Sequence, residues 1–399
     1  MVTRQMRQWI SSGSAIRAMF EEGKQLARRY GADNVYDFSL GNPSLPAPEA
    51  VREAFCDVLR TCDPLELHGY MSNSGYDDVR AAIARRLSER DGVAYRACDV
   101  VMTVGAAGGM NVLLKSILES SDEVVVFAPY FGEYRRYVEN YGGILVECAP
   151  NPPAFLPDPK ELEPKIYPRT KAVIVNTPNN PTGVVYPRAC IAAICDVLQS
   201  FRARGQEICL ISDEPYRELV YDGAQATPIA PLYPNTVVCY SYSKSLSLPG
   251  ERIGYLALHP EIADGDALRD ACNVATRVLG FVNAPSLQQK MLLRCLDLPI
   301  DVSAYDDNRR ALCEILDACG LEYVKPQGAF YLFVRSPLAD DRAFCETAKR
   351  ENLLLVPGSG FGCAGWVRVA YCVSMRTIRR SADAFARLAR RCAEISGAR

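Results

Sequence analysis

The sequence predicts an α/β protein, with a mostly parallel sheet covered by helices on both faces and a smaller α+β domain. Three observations lead there. First, short apolar, β-branched runs recur at Val100–Val104, Glu123–Phe127, Ala172–Asn176, Ile208–Asp213, Thr236–Ser241 and Ile253–Leu258. Second, amphipathic helical patterns lie between the earlier runs, at Gly108–Leu118, Glu133–Tyr141 and Arg188–Arg204. Continuously apolar strands alternating with helices imply a sheet buried on both faces. The last runs lie close together, which leaves room for an antiparallel pair. Third, the texture changes after Ala284: a helical region (Ser286–Gly320) precedes strand-like Ala329–Val334, helix-like Arg342–Glu351, strand-like Trp366–Val373 and a closing helix, Thr377–Ile395. We therefore read residues 46–285 as the large domain and 286–399 as the small one. Residues 1–45, with one amphipathic helix at Ile16–Tyr30, are expected to pack on the small domain.

Composition narrows the function. The chain has 399 residues, 49% hydrophobic and 23% charged, with a net charge of -2. That is ordinary for a globular protein of two domains, and it supplies no electrostatic footprint for nucleic acid or an anionic membrane. No apolar run is long enough to span a bilayer, and the N-terminus does not read as a secretory signal. Sixteen cysteines are scattered through apolar runs without a Cys-x-x-Cys pair, which reads as small buried side chains in a reducing cytoplasm. Only two histidines occur, His68 and His259, so a His-rich metal site is excluded.

Open α/β sheets bind ligands at the C-terminal ends of their strands, and the unusual residues stand there. Val100–Val104 runs into Gly105-Ala106-Ala107-Gly108-Gly109 and a helix, so backbone N–H groups without bulky side chains are available to a phosphate. This is not a Gly-x-Gly-x-x-Gly fingerprint. Ala172–Val175 ends in Asn176-Thr177-Pro178-Asn179-Asn180-Pro181-Thr182-Gly183, more constrained than a plain turn requires. Ile208–Ser212 ends in Asp213-Glu214-Pro215-Tyr216, where the aspartate is either a helix N-cap or a counter-ion for a protonated ring nitrogen. Ser241-Tyr242-Ser243-Lys244 is followed by Gly250-Glu251-Arg252-Ile253-Gly254. A lysine among hydroxyls, with an arginine between glycines, suits a phosphorylated aldehyde held as a Schiff base; an exposed lysine in a Ser-rich loop is the plain alternative. Lysine, aspartate and phosphate donors together match pyridoxal phosphate chemistry.

On these motifs the chain resembles the fold-type I, class I/II aminotransferases, of which aspartate aminotransferase is the best-known relative. The resemblance runs from Gly41 to Arg368, with Asn-Asn-Pro-Thr-Gly, Ser-Asp-Glu-Pro-Tyr, Ser-x-Ser-Lys and Gly-x-Arg-x-Gly in family order. It implies pyridoxal 5'-phosphate as cofactor, Lys244 as the Schiff-base lysine and proton shuttle, and Asp213 as the pyridinium partner. Asn180 and Tyr216 correspond to the pair on the ring hydroxyl. Ser241, Ser243 and Arg252 match the phosphate ligands, with Gly105, Ala106 and Ala107 as the phosphate loop. Many relatives place a hydroxyl or lysine in that loop; here only backbone N–H groups are present. Phe131 aligns with the aromatic residue stacked on the ring, with Tyr130 competing for the position. Arg368 and the backbone of Gly41, with Asn180, match the holders of the substrate α-carboxylate. Tyr70 resembles the tyrosine that reaches the phosphate of a partner subunit, which implies a homodimer with shared active sites.

The implied reaction moves the amino group of an L-amino acid, aspartate-like or of broad range, to a 2-oxo acid such as 2-oxoglutarate, with ping-pong kinetics. The same fold and lysine serve C–S β-lyases, and fold does not decide between them. Asn179-Asn180-Pro181 and Glu214-Pro215-Tyr216 favour the transaminase. An aminotransferase-like regulator domain would need a basic DNA-binding domain, for which this chain has no room before Tyr70. For side-chain specificity, Arg277 near Asn283 would meet an acidic substrate or stand as a solvated helix-end arginine. Ile16, Tyr70 and Tyr305 would line a pocket for apolar or aromatic side chains.

Overall fold

The computed structural model describes residues 1–13 and 15–397, without the side chains of residues 12, 15–18 and 20. The chain forms two compact units: a larger one from Leu45–Asn179 and Val185–Asp301, and a smaller one from Met1–Ser44, Asn180–Val184 and Val302 onward.

The larger unit is built on a seven-stranded sheet. Its strands are β1 (Val100–Thr103), β2 (Glu123–Phe127), β3 (Ile144–Cys148), β4 (Thr170–Asn176), β5 (Cys209–Asp213), β6 (Thr236–Ser241) and β7 (Gly254–Leu258). They lie in the order β1-β7-β6-β5-β4-β2-β3. All neighbours are parallel except β7, which runs antiparallel to both β1 and β6. The sheet class therefore follows the sequence, including the antiparallel pair among the late runs. Strand β3 has no counterpart in the sequence reading. It is an edge strand after Gly142-Gly143, and its residues are not uniformly buried, so it lacks the continuous apolar run of the central strands.

Helices cover both faces because β-strand side chains alternate. On one face, Val238 and Tyr240 of β6 and Tyr255 and Ala257 of β7 join Ile83 and Leu87 of helix Asp77–Asp91 and Met291 and Leu292 of helix Ser286–Cys295. On the other, Val237 and Cys239 of β6 join Met110, Leu113 and Leu114 of helix Gly105–Ile117, Tyr134 and Val138 of helix Glu133–Glu139, and Cys272 and Ala275 of helix Gly265–Val278.

The smaller unit carries a four-stranded antiparallel sheet, ordered Val356–Pro357, Trp366–Ala370, Tyr331–Arg335, Tyr323–Val324. Near its start, Tyr36–Asp37 pairs in parallel with Leu353–Leu354, and Glu22 meets Lys349 at 2.9 Å, so the first 44 residues belong to this unit. Its C-terminal portion begins at Val302, not at the 285/286 division read from sequence. The helical region Ser286–Gly320 is two helices, Ser286–Cys295 and Ser303–Ala318, and the first contributes its apolar face to the larger unit's core. The closing helix is likewise two, Met375–Arg380 and Ala382–Gly397. Among the described residues no helix is long and apolar enough to cross a membrane.

Candidate active site

The C-terminal ends of β4, β5 and β6 and the start of β7 lie side by side, and Asp213, Ser241 and the turn that carries Lys244 stand there. Asp213 closes β5, where Asn176 of β4 donates from Nδ2 to its carbonyl oxygen at 2.9 Å. The Asp213 side chain is not a helix cap. Its Oδ2 accepts from the Tyr134 hydroxyl, and its Oδ1 is buried with no partner among the described residues. Burial pushes the carboxyl up to about 7; the Tyr134 hydrogen bond pulls against this, and the charge of Glu214 adds to it.

The adjacent Glu214 joins a different set of groups. Its carboxylate accepts from Arg90 at 2.8 Å, Arg217 at 3.4 Å and Ser212 Oγ at 2.7 Å. Burial works against its charge, but Arg90 and Arg217 outweigh burial and hold it below the usual carboxylate range. Of the two neighbouring acids, only Asp213 keeps an oxygen free for a ligand.

Lys244 lies in a single helical turn, Tyr242–Ser245, and is partly buried. Ser241, at the end of β6, caps that turn by accepting from the Ser243 amide at 3.2 Å, and the two serine hydroxyls are 2.7 Å apart. Arg252 has φ +52°. Its guanidinium donates to the carbonyls of Pro249 at 2.9 Å and Val104 at 3.3 Å, which sets it over the start of helix Gly105–Ile117. A Cβ on Gly105 would stand 2.7 Å from Arg252 Nη2, and Gly105 has φ +74°, so only glycine fits there. A Cβ on Gly254 would meet the Tyr240 carbonyl at 2.2 Å and the Gly105 backbone at 3.1 Å. Gly254 thus lets β7 lie against Gly105, and the Arg252 guanidinium sits at the start of that helix.

Phe131 is half-buried and meets the Tyr134 ring edge-on, with centroids 5.6 Å apart. Tyr130 is turned elsewhere: its hydroxyl donates to Glu147 at 2.6 Å. Tyr216 is buried in the turn after β5, where the Leu219 amide donates to its carbonyl at 2.8 Å. Tyr70 is 93% exposed. It lines a surface hollow with Phe281 and Asn283, and Asn73 Nδ2 donates to Val282 O at 2.6 Å, tying the two segments together. Arg277 is exposed at the end of helix Gly265–Val278.

The remaining predicted residues lie in the smaller unit. Arg368 is 1% exposed, in strand Trp366–Ala370. It donates to Asn180 Oδ1 at 3.0 Å and to the Ser39 carbonyl at 2.6 Å, and Tyr331 and Phe361 flank its guanidinium. No acidic side chain among the described residues pairs with it, and its Nε has no acceptor. A Cβ on Gly41 would fall 1.9 Å from the Tyr331 hydroxyl, so the backbone here follows that ring closely. Tyr305 is buried beside Phe330, at 5.7 Å between centroids. The Ile16 side chain lies outside the described residues.

The sequence reading did not include Tyr134. The available signal was its position three residues after Phe131, in the first turn of the helix that follows, close enough for the two rings to meet.

The profile of the aminotransferase class I and II family matches residues 33–385. The chain belongs to that family. The aminotransferase is 31% identical over 366 residues to the aspartate/prephenate aminotransferase of Thermus thermophilus, an alignment covering 90% of this chain and 92% of the relative. Its fold superposes on an amino transferase from Eubacterium rectale with a TM-score of 0.94 at 44% identity, covering 98% and 99% of the two chains. It also superposes on the Thermus thermophilus aspartate aminotransferase with maleate, with a TM-score of 0.87 at 28% identity, covering 97% and 99%. The enzyme is a pyridoxal phosphate-dependent transaminase acting on amino acids and oxo acids.

The residues present fit that cofactor. A buried carboxylate oxygen without a donor suits a protonated ring nitrogen, and a glycine cradle beside two serines and an arginine suits a phosphate dianion. A testable consequence concerns the cofactor-free protein. Below about pH 4 both folded and unfolded chains carry the Asp213 proton. Between about pH 4 and pH 7 the unfolded chain releases it while the folded chain holds it, so stability falls as pH rises. At about 1.4 kcal/mol per pH unit the loss is on the order of 4 kcal/mol. Thermal melts at pH 5 and pH 8 should show this fall in the wild type and not in Asp213→Asn; equal slopes would contradict it.

Proposed function

We propose that this transaminase moves the amino group of an L-amino acid, aspartate-like or of broad range, to 2-oxoglutarate, with Arg368 holding the α-carboxylate of both partners. One observation carries this reading: Arg368 is a buried guanidinium with only neutral acceptors and an unused N–H, and a buried cation of that kind calls for an anionic ligand. Asn180, already on Arg368 Nη1, supports its orientation, and the Gly41 backbone belongs to the same subsite.

Bound pyridoxal phosphate supplies an aldehyde to take up the amino group and a ring that accepts the electron pair released at the α-carbon. Asp213 Oδ1 would keep the proton on the ring nitrogen. Asn180 and Tyr216 would hydrogen-bond the ring hydroxyl, and Phe131 would cover a ring face. Ser241, Ser243, Arg252 and the amides of Gly105, Ala106 and Ala107 would hold the phosphate. Lys244 Nζ would take the proton from the substrate α-carbon and return it at the neighbouring position. The same residues run both halves of the exchange, since donor and acceptor carry the same α-carboxylate.

The Thermus relative is named for aspartate and prephenate, and one of its structures holds maleate. Those names support an acidic substrate here, with Arg277 as the residue that would meet a distal carboxylate. The exposure of Tyr70 supports a homodimer in which it reaches the partner's phosphate site. The free thiols of the described cysteines support a cytoplasmic setting.

Lys244→Ala is expected to abolish turnover and to lose the visible absorbance the cofactor gains on joining a lysine; normal turnover would end the assignment. Arg368→Ala should raise KM for donor and acceptor by about two orders of magnitude, the loss of a charge-assisted pair. An unchanged KM would place the carboxylate elsewhere. A screen of amino donors against 2-oxoglutarate should favour aspartate and glutamate. Arg277→Ala should then reduce kcat/KM for these acidic donors and spare apolar ones; equal losses would remove Arg277 from substrate recognition.

A further inference from the structure

The inference concerns Tyr134 and rests on the assignment of Asp213 to the ring nitrogen. Tyr134 is 2% exposed on helix Glu133–Glu139, with its ring in the core that includes Val138, Cys239 and Ile211. Its hydroxyl donates to Asp213 Oδ2, while Oδ1 has no partner among the described residues. The Asp213 main chain is held independently by the β5 ladders and by Asn176. A terminal carboxylate torsion is otherwise soft and roughly two-fold, and among the described residues no other side-chain hydrogen bond distinguishes one oxygen from the other. With the phenol on Oδ2, exchanging the two oxygens breaks a buried hydrogen bond.

The direction of that bond is fixed as well. Burial, then the neighbouring Asp213 charge, hold the Tyr134 phenol far above its ordinary range, so it donates at every working pH. A donor to the ionised carboxylate favours that form and opposes the effect of burial on Asp213. Tyr134 also meets Phe131, so one short segment contributes both the proposed ring-face contact and the donor to the ring's counter-ion.

We propose that Tyr134 is a positioning residue for transamination: by holding Asp213 Oδ2 it presents Oδ1, ionised, to the cofactor's ring nitrogen. It acts through Asp213 and not by touching substrate or cofactor.

The test uses holoenzyme loaded with cofactor labelled with nitrogen-15 in the ring, whose NMR shift reports whether that nitrogen carries a proton. Wild type, Tyr134→Phe and Val138→Ala are compared. Tyr134→Phe removes only the hydroxyl; Val138→Ala loosens the same helix and leaves the hydroxyl in place. Tyr134→Phe should move the nitrogen signal toward its unprotonated position and lower kcat at least tenfold, with KM within twofold of wild type. Val138→Ala should lower the melting temperature and keep the wild-type nitrogen signal. A wild-type signal and kcat in Tyr134→Phe would overturn the proposal, as would the same loss of signal in Val138→Ala. An unprotonated nitrogen in the wild type would instead refute the assignment of Asp213 itself. If Tyr134→Phe does not retain cofactor, the cofactor-free variant is read: its stability should go on falling to a pH at least one unit higher than in wild type before it levels off, and an unmoved upper limit overturns the proposal.

Discussion

The larger unit is organised around a carboxylate buried at the end of a central strand. Burial of an unpaired charge is among the most unfavourable arrangements a fold can contain. Here Asp213 has one donor, one empty oxygen and a raised affinity for protons. Arg90 and Arg217 are engaged by Glu214, Asp91 and Glu218. Alternation along the chain separates the two acids, so Glu214 is neutralised by protein while Asp213 remains for a ligand. That division leaves Asp213 Oδ1 suited to the ring nitrogen the proposed reading assigns to it.

The phosphate end follows a different rule. Where relatives place a side chain in the loop after the first strand, Gly105, Ala106 and Ala107 offer only amides. Compensation comes from proximity: Gly254 lets β7 approach Gly105, and that approach sets Arg252 over the helix start. Arg252 adopts a left-handed backbone conformation unusual for a branched, long side chain, a local strain of roughly 1–3 kcal/mol that the flanking glycines and the β6–β7 pairing sustain. Specificity for a dianion is thus written into backbone geometry more than into side-chain count.

Much of this was legible in the sequence, because active residues at strand ends break the apolar texture around them. Asp213 after Ile-Cys-Leu-Ile-Ser, Lys244 among serines and Arg368 inside Trp-Val-Arg-Val each stand out as polar groups where burial is expected. Tyr134 did not stand out, since a tyrosine on the inner face of an amphipathic helix looks like core, and its value lies in one hydroxyl. Strand β3 was hidden by mixed polarity at a sheet edge. The division near residue 286 was misplaced because Ser286–Cys295 and Ser303–Ala318 share one helical period, and only tertiary packing assigns them to different cores.

The two units carry opposite deficits. Among the described residues, the larger unit holds a buried carboxyl whose Oδ1 has no donor, at Asp213, and the smaller a buried guanidinium without an acidic partner, at Arg368. Neither could be satisfied by protein without losing the ligand it awaits: an acid paired with Arg368 would exclude a substrate carboxylate, and a cation on Asp213 Oδ1 would exclude the ring nitrogen. In the proposed reading, each deficit would lower the stability of the empty chain and be relieved by a different molecule, the cofactor for one and the substrate for the other. Binding free energy and folding free energy are coupled at both places. The order of events follows from chemistry. In the proposed reading, a cofactor retained through the cycle would offset the Asp213 deficit permanently, whereas a substrate that leaves after each half-reaction would offset the Arg368 deficit only transiently. In the proposed reading, a substrate carboxylate would accept from one buried guanidinium whose other N–H groups are held by neutral acceptors, with no acidic side chain among the described residues to compete.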